Sequence, residues 1–540
     1  MGKQAGSALW LRDNDVAWIT TSIGAQLAAN ANAHHDAPAL HWQADASGGL
    51  RTVTYGQLYD DASRLARALL TTLEPGAAVG LCAPNSAEWV QIEYACALAG
   101  LVLVPMNPAM AEPELAHILG LSATELILTV ENYRGRPLGD RMRNLAGAST
   151  QGPAVVDLQS WAASAQGTST LPTVAADDVF MVQYTSGTTG RPKGAVHTHA
   201  STLNAAAIWC ADWGHRASDV LLTPVPLHHV GGSVNGVLGS LATRASAVLM
   251  GDYDPAVLVS LLRDTQTTVL TAVPTMLFDV LRQPGFDPTL LPHLQTVVGG
   301  GSAVPAETVR RIETTFGVQF VMSYGQSESP SMLQTRRDDP TDLKADTLGR
   351  PLPGRDVRIA RPDGSTANEG EIGEICTRSP MRMSGYLGQL DATAEVIDTE
   401  DWLHTGDLGA MDAQGYVTSH GRAREVIIRG GENLYPGEIE AVLSRHPSLR
   451  AIAVIGGPDE RWGEVPVAFV VPETNTIVDA DELEAYGRKH LASFKVPRRW
   501  VELSELPLTA SGKVRKVGLR ELLNDTSEAD RGDVSQESRS

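Results

Sequence analysis

The sequence predicts a large α/β domain followed by a small α+β domain. Three observations carry that expectation: a length of 540 residues, an alternation of helix-type and strand-type patterns from Thr54 to Ala272, and a change beyond Gly370 to short strands between Gly and Asp turns. A chain of this length exceeds one compact core, so two or three domains are expected.

The elements follow in order. Thr54-Tyr55-Gly56-Gln57-Leu58, continued by Leu65, Ala66, Leu69 and Leu70, reads as a capped amphipathic helix. Ala78-Val79-Gly80-Leu81-Cys82 reads as a buried strand, residues 89–99 as a helix and Val102-Leu103-Val104-Pro105 as a short strand. Further strands are expected at 220–223, 247–250 and 269–272. Such alternation favours parallel sheets covered by helices. Gly373-Glu374-Ile375-Cys376 and Gly415-Tyr416-Val417 suggest a small β-rich subdomain at the end of the large domain, which is expected to span residues 1–421. A helix at 436–443, strands at 451–455 and 467–471 and a helix at 481–490 then make a compact small domain over residues 422–523. The polar tail, 524–540, is expected to be disordered.

A formal net charge of -20 excludes a protein that lives on nucleic-acid phosphates, which need a basic surface. Any nucleotide site must be built from local basic residues and backbone N–H groups. Cys82, Cys96, Cys210 and Cys376 lie far apart without C-x-x-C spacing, so core thiols are expected rather than disulfides or a zinc site. Residues 1–10 lack a basic stretch followed by an apolar run, and the longest largely apolar run, 95–106, is too short to cross a bilayer. A cytoplasmic protein without a membrane span is expected.

Tyr184-Thr185-Ser186-Gly187-Thr188-Thr189-Gly190-Arg191-Pro192-Lys193-Gly194 is the most informative segment. Small and hydroxylated residues let the backbone approach a polyphosphate and donate to it, and Lys193 supplies charge. Gly194 follows Lys193 where a Walker loop has Ser or Thr, so a P-loop kinase or GTPase is disfavoured. A Ser/Thr/Gly tract alone is equally compatible with a surface linker.

With its neighbours, this segment resembles the signature loop of the adenylate-forming superfamily of acyl-CoA synthetases, luciferases and peptide-synthetase adenylation domains. The other motifs of that superfamily follow in its order from about Thr54 to Lys516. Ser323-Tyr324-Gly325-Gln326-Ser327-Glu328 resembles its Y-G-x-T-E motif, with Ser327 in place of Thr. The resemblance implies that Tyr324 lies against adenine, Ser327 reaches the α-phosphate and Glu328 holds Mg²⁺, a hard cation that takes carboxylate oxygens. Gly299-Gly300-Gly301-Ser302-Ala303 resembles the turn lining adenine and one wall of the acyl pocket. Trp402-Leu403-His404-Thr405-Gly406-Asp407 resembles the motif whose Asp accepts hydrogen bonds from both ribose hydroxyls.

Gly421-Arg422-Ala423-Arg424 is similar to the hinge between the two domains, with Arg422 on the ribose and Arg424 at the pivot, where Asp or Lys is commoner. Gly430 and Gly431 follow as the implied wall of the coenzyme A tunnel. Pro507-Leu508-Thr509-Ala510-Ser511-Gly512-Lys513 resembles the catalytic-lysine loop. Pro226-Leu227-His228-His229-Val230-Gly231-Gly232 resembles the motif that places His229 beside the carboxylate, with Gly231 leaving room for the acyl group. Paired His invites a zinc reading, but no third ligand at sensible spacing accompanies it. Pro330 completes the implied acyl pocket, whose segments are small or apolar and favour an apolar aliphatic or aromatic acid.

The implied reaction has two halves, with ATP, Mg²⁺ and coenzyme A as cofactors. A carboxylate attacks the α-phosphorus of ATP and expels pyrophosphate, and a thiol then takes the acyl group from acyl-AMP. Lys193, Lys513 and Mg²⁺ at Glu328 are expected to stabilise the charge of the first transition state. The small domain is then expected to rotate about Arg424. Loading of a carrier protein in trans and non-catalytic nucleotide binding are the competing readings. A homodimer is compatible with the sequence.

Overall fold

The computed structural model describes all residues except 1, 14, 44–48, 148–151, 186–191, 284–285, 301–303, 305, 431, 460, 475, 509–513 and 524–540. A seven-stranded sheet runs in the order Gly385–Tyr386, Lys193–Thr198, Val179–Thr185, Val102–Pro105, Ala78–Cys82, Thr124–Thr129, Ala154–Asp157. A nine-stranded sheet runs Arg350–Pro351, Ser329–Gln334, Gln319–Gln326, Thr296–Gly300, Val269–Ala272, Val220–Thr223, Ser246–Met250, Pro38–Gln43, Arg51–Thr54.

The strands read from sequence between residues 78 and 272 lie in these two sheets, and their interiors are parallel. The expectation of parallel sheets needs correction at the edges. Lys193–Thr198 is antiparallel to Val179–Thr185, and Ser329–Gln334 is antiparallel to Gln319–Gln326. The reason is chain length: a parallel neighbour requires a crossover of a dozen or more residues, whereas Ser327 and Glu328 alone join the second pair. Both hairpins carry predicted site residues.

The helix Tyr55–Leu69 begins at a capping box: Thr54 Oγ1 accepts the Gln57 N–H at 3.2 Å, and Gln57 Oε1 accepts the Thr54 N–H at 3.0 Å. Its buried face, with Leu58, Leu65 and Leu69, joins a core shared by both sheets, including Leu40 and Leu249 from one and Val79, Leu103 and Phe180 from the other. Helices packed between sheets thus fix the spacing of the two sheets. The four cysteines are free and buried, as expected of core thiols.

An antiparallel sheet of Leu9–Trp10, Asp356–Ala360, Gly373–Arg378, Leu403–Met411 and Val417–Arg422 forms the β-rich part. After Arg422 the chain builds another sheet, from Ile427–Arg429, Glu432–Leu434, Leu449–Asp459, Gly463–Pro472 and Arg499–Glu502, with the helices Pro436–Leu443 and Ala480–His490. Among the described residues, no helix is long and apolar enough to cross a membrane.

One core residue breaks the apolar rule. Glu93, in the helix Ala87–Ala99, is fully buried, and neither carboxylate oxygen meets a hydrogen-bond partner among the described residues. Burial holds its pKa well above the ordinary 4.5, so it stays protonated in the fold while the unfolded chain ionises. Stability therefore falls by about 1.4 kcal/mol per pH unit between the ordinary and the folded value. Glu93→Gln should remove that slope, so its stability advantage over the parent widens from pH 5 to pH 8. Urea midpoints across that range measure it; a pH-independent difference would show that the carboxyl ionises in place.

Candidate active site

Among the described residues, the predicted ones form two groups, Lys193 with Glu328 and Tyr324 with Asp407 and Arg422. The phosphate-loop segment is a hairpin whose last described cross-strand pairs are Tyr184 with Gly194 and Thr185 with Lys193. Ser186, Gly187, Thr188, Thr189 and Gly190 lie outside the described residues. The Gly385–Tyr386 strand pairs with the outer edge of this hairpin and sets the buried Tyr386 beside Lys193, whose Nζ stands 5.0 Å from the ring centroid. Tyr386 Oη donates to Glu328 Oε1 at 2.7 Å. Burial first, and then the adjoining Glu328 carboxylate, raises the pKa of this phenol, which therefore keeps its proton. Lys193, Tyr386 and Glu328 form one line from the lysine to the carboxylate.

Ser327 and Glu328 form the turn between antiparallel strands. Ser327 O accepts from His197 Nε2 at 2.7 Å, and Glu328 O accepts from the Met383 N–H at 2.7 Å. Burial lowers the His197 pKa to about 4, so this ring is neutral and carries its proton on the nitrogen that faces Ser327.

A second constellation joins three motifs. Tyr324 Oη donates to Asp407 Oδ2 at 2.6 Å, and Arg422 Nε lies 3.3 Å from Asp407 Oδ1. Asp407 and Arg422 are cross-strand partners. Burial, then the Asp407 charge, pushes the Tyr324 pKa well up, so the phenol remains a donor. Ser323 Oγ accepts from Trp209 Nε1 at 3.0 Å.

Glycine fits the Gly299-Gly300 strand end because Gly300 lies opposite Ser323 in the parallel ladder. A Cβ at Gly300 would stand 2.2 Å from Ser323 O, and one at Gly299 2.5 Å from the Phe320 ring. Gly301, Ser302 and Ala303 lie outside the described residues. Gly325 sits at a register shift, where a Cβ would meet Ser331 N at 2.3 Å before Gln326 resumes pairing. Pro330 O accepts from the buried Arg355 at 2.6 Å.

The His motif leads into a π-helical segment, Gly231–Leu238, in which the Asn235 N–H reaches back to Val230 O at 2.9 Å. π-Helical turns often mark functional sites. His228 and His229 stack with centroids 4.5 Å apart, and Gln183 Nε2 donates to His228 O at 2.8 Å, tying the motif to the phosphate hairpin. Burial, then His229, depresses the His228 pKa well below normal, so this ring is neutral. Asn235 Oδ1 accepts from Ser331 Oγ at 3.0 Å, and Ser331 holds a left-handed φ of 53°.

Arg424 lies exposed in the segment after Arg422. Gly430 adopts φ 58° with its N–H donating to Trp462 O at 2.7 Å; Gly431 lies outside the described residues. Lys513 is also outside them, but Leu508 and Val514 bridge the ends of its loop. Lys516 Nζ stands 3.0 Å from Glu425 and 2.9 Å from Glu440. Burial opposes its charge, and these two carboxylates nevertheless raise its pKa. Tyr386, His197, Asn235 and Lys516 had no individual role in the sequence reading. None of the four sits in a pattern that signals such a role.

The model of the AMP-binding enzyme family matches residues 27–387, and that of the AMP-binding enzyme C-terminal domain matches 438–513. The chain belongs to the AMP-binding enzyme family. It is 36% identical over 483 residues to feruloyl-CoA synthase of Amycolatopsis sp, covering 87% of this chain and 94% of that one. Indoleacetate–CoA ligase of Aromatoleum aromaticum is 33% identical over 482 residues, covering 88% and 94%. The crystal structure of ATP-bound MatB from Rhodopseudomonas palustris superposes with a TM-score of 0.86 at 27% identity, covering 94% of this chain and 100% of that one. The chain is thus an adenylate-forming enzyme of the acyl-CoA synthetase type. It activates a carboxylic acid with ATP and Mg²⁺ and transfers the acyl group to coenzyme A.

The close approach at Gly300 is testable. Gly300→Ala must separate two central strands and should cost about 1–3 kcal/mol of stability, with weakened ATP binding. Gly231→Ala, whose nearest contact would be Val225 at 3.4 Å, should stay within about 0.5 kcal/mol of the parent. Melting curves and equilibrium ATP titration compare the two.

Proposed function

We propose that the Lys193, Tyr386 and Glu328 line is the phosphate end, and the Tyr324, Asp407 and Arg422 group the ribose end, of one ATP site. The observation that carries this reading is the bond from Tyr386 to Glu328, which places a lysine and a carboxylate of distant sequence on either side of one buried ring. That donor set suits a magnesium polyphosphate: Lys193 for phosphate oxygens and Glu328 for the ion. Bound at Glu328, Mg²⁺ would supply charge neutralisation on the phosphates.

The acid's carboxylate, placed beside His229, attacks the α-phosphorus; the bond to the bridging oxygen breaks and pyrophosphate leaves. Lys193 and Lys513 offset the negative charge that develops on the phosphoryl oxygens. In the second half, the coenzyme A sulfur, entering past Gly430 and Gly431, attacks the acyl carbon. AMP departs, held by Asp407 and Arg422. We assign residues 1–421 to the large domain and 422–523 to a small domain that turns about Arg424 between the halves.

The acid we propose is an aromatic or extended apolar carboxylic acid. Gly231, where a Cβ would meet only Val225 at 3.4 Å, leaves room beside His229, and the relatives named for ferulate and indoleacetate agree with an aryl group. Mass spectrometry of the thioesters formed from a panel of acids tests the class; turnover confined to short aliphatic acids would refute it.

Two substitutions test the roles. Lys513→Ala should lower adenylate formation by about 10²–10³ while sparing thioester formation from supplied acyl-AMP. Equal losses in both halves count against the two-state arrangement. Glu328→Ala should raise the Mg²⁺ concentration needed for pyrophosphate release, and an unchanged magnesium dependence removes Glu328 from the metal site.

A further inference from the structure

Asp407 sits in an irregularity of the β-rich sheet. Cys376 faces His404 and Glu374 faces Leu408, so Ile375 alone stands opposite Thr405, Gly406 and Asp407. Such a bulge re-aims side chains, but it takes backbone groups out of the ladder and they need other partners. Gly406 turns with φ 72°. Its N–H donates to Glu374 Oε1 at 2.8 Å; Thr405 Oγ1 donates to Ile375 O at 2.7 Å and accepts from the Asp407 N–H at 3.1 Å. The turn that presents Asp407 is therefore closed by one carboxylate from the neighbouring strand.

That carboxylate is itself held. Glu374 Oε2 lies 2.8 Å from His404 Nδ1, and His404 Nε2 lies 3.4 Å from Asp398 Oδ2. Asp398 is fixed by Arg358 at 3.2 Å and by the N–H groups of Glu400 and Trp402 at 2.9 Å each. Hydrogen bonds to the Cys376 sulfur, 3.5 Å from Nδ1, and to Glu374 raise the His404 pKa far above its ordinary value. The ring is an imidazolium bridging two carboxylates. Glu374, Cys376 and His404 also bring ligand-type atoms within 4.8 Å of one another. With both ring nitrogens facing carboxylates as donors, an ion-pair relay accounts for the cluster better than a metal site does.

We propose that Glu374 and His404 are positioning residues that hold the Gly406 turn, and through it the Asp407 carboxylate, in register for the two ribose hydroxyls of ATP. Neither touches the nucleotide. The inference rests on the reading of Asp407 as the ribose acceptor. It explains why a half-buried ion-pair chain running from Arg358 ends on one backbone N–H beside that residue.

The test needs no knowledge of the acid. Equilibrium binding of Mg²⁺-ATP and of Mg²⁺-2′,3′-dideoxy-ATP is measured on the full chain and on three variants. The parent should prefer ATP by at least about tenfold, the worth of a hydrogen bond to a charged acceptor. Asp407→Ala should abolish the preference; if it does not, the ribose reading fails and this inference with it. With Asp407 intact, Glu374→Ala should lose most of the preference through weaker ATP binding, while dideoxy-ATP affinity stays near the parent's. His404→Ala should move in the same direction and decides the matter if Glu374→Ala does not fold. A parental preference in the folded variants, or an equal loss for both nucleotides, would overturn the proposal, since a merely structural role moves both together.

Discussion

Ser327 and Glu328 turn the chain between two strands of the nine-stranded sheet, yet groups associated with the seven-stranded sheet hold them. His197 donates to Ser327 O, Met383 to Glu328 O and Tyr386 to the Glu328 side chain. These three bonds lock two separately built sheets together at one turn. The rest of the site depends on that lock, because Lys193 belongs to one sheet, and Tyr324 and Gly300 to the other. Two of the three come from groups whose ionisation burial suppresses, the neutral His197 ring and the Tyr386 phenol. The lock is therefore insensitive to pH across the neutral range.

An acidic chain that binds a polyanion needs local arrangement to overcome its own field. Lys193 stands over the face of the Tyr386 ring and has no salt bridge among the described residues, while Arg422 lies 3.3 Å from Asp407. Local cations are thus held in place beside aromatic and carboxylate groups. Elsewhere the protein pairs charge freely, as in the buried Lys344 on Glu313 at 2.8 Å.

Much of this was legible in the chain. The strands 78–82, 102–105, 220–223 and 269–272 stand where their patterns place them because each is a short, largely apolar run followed closely by a Pro or Gly signal, and the helix 436–443 because Pro436 opens a run with Ile439 and Leu443 on one buried face. The sequence motifs named Glu328, Asp407, Arg422 and Lys193, and the fold brings each into one of the two constellations. Other features were not legible. Leu9–Trp10 is too short for any periodicity, and the Pro38–Gln43 strand finds its neighbour far along the chain at Ser246–Met250. Antiparallel edges follow from connection length, not from composition. Tyr386 and His197 act through pairings 58 and 130 residues apart, and a lone Tyr or His carries no spacing to betray such a partner. The ion-pair chain through His404 was hidden likewise, since only the register of two strands brings Glu374 and His404 together.

Lys516 gathers Glu425 and Glu440 to a single ammonium group, and all three residues follow Arg424 in the chain. A turn of the backbone at that arginine would leave every one of these bonds on the same side of the axis. These three charges would then travel together, and their pairing would not have to be remade at the end of each swing.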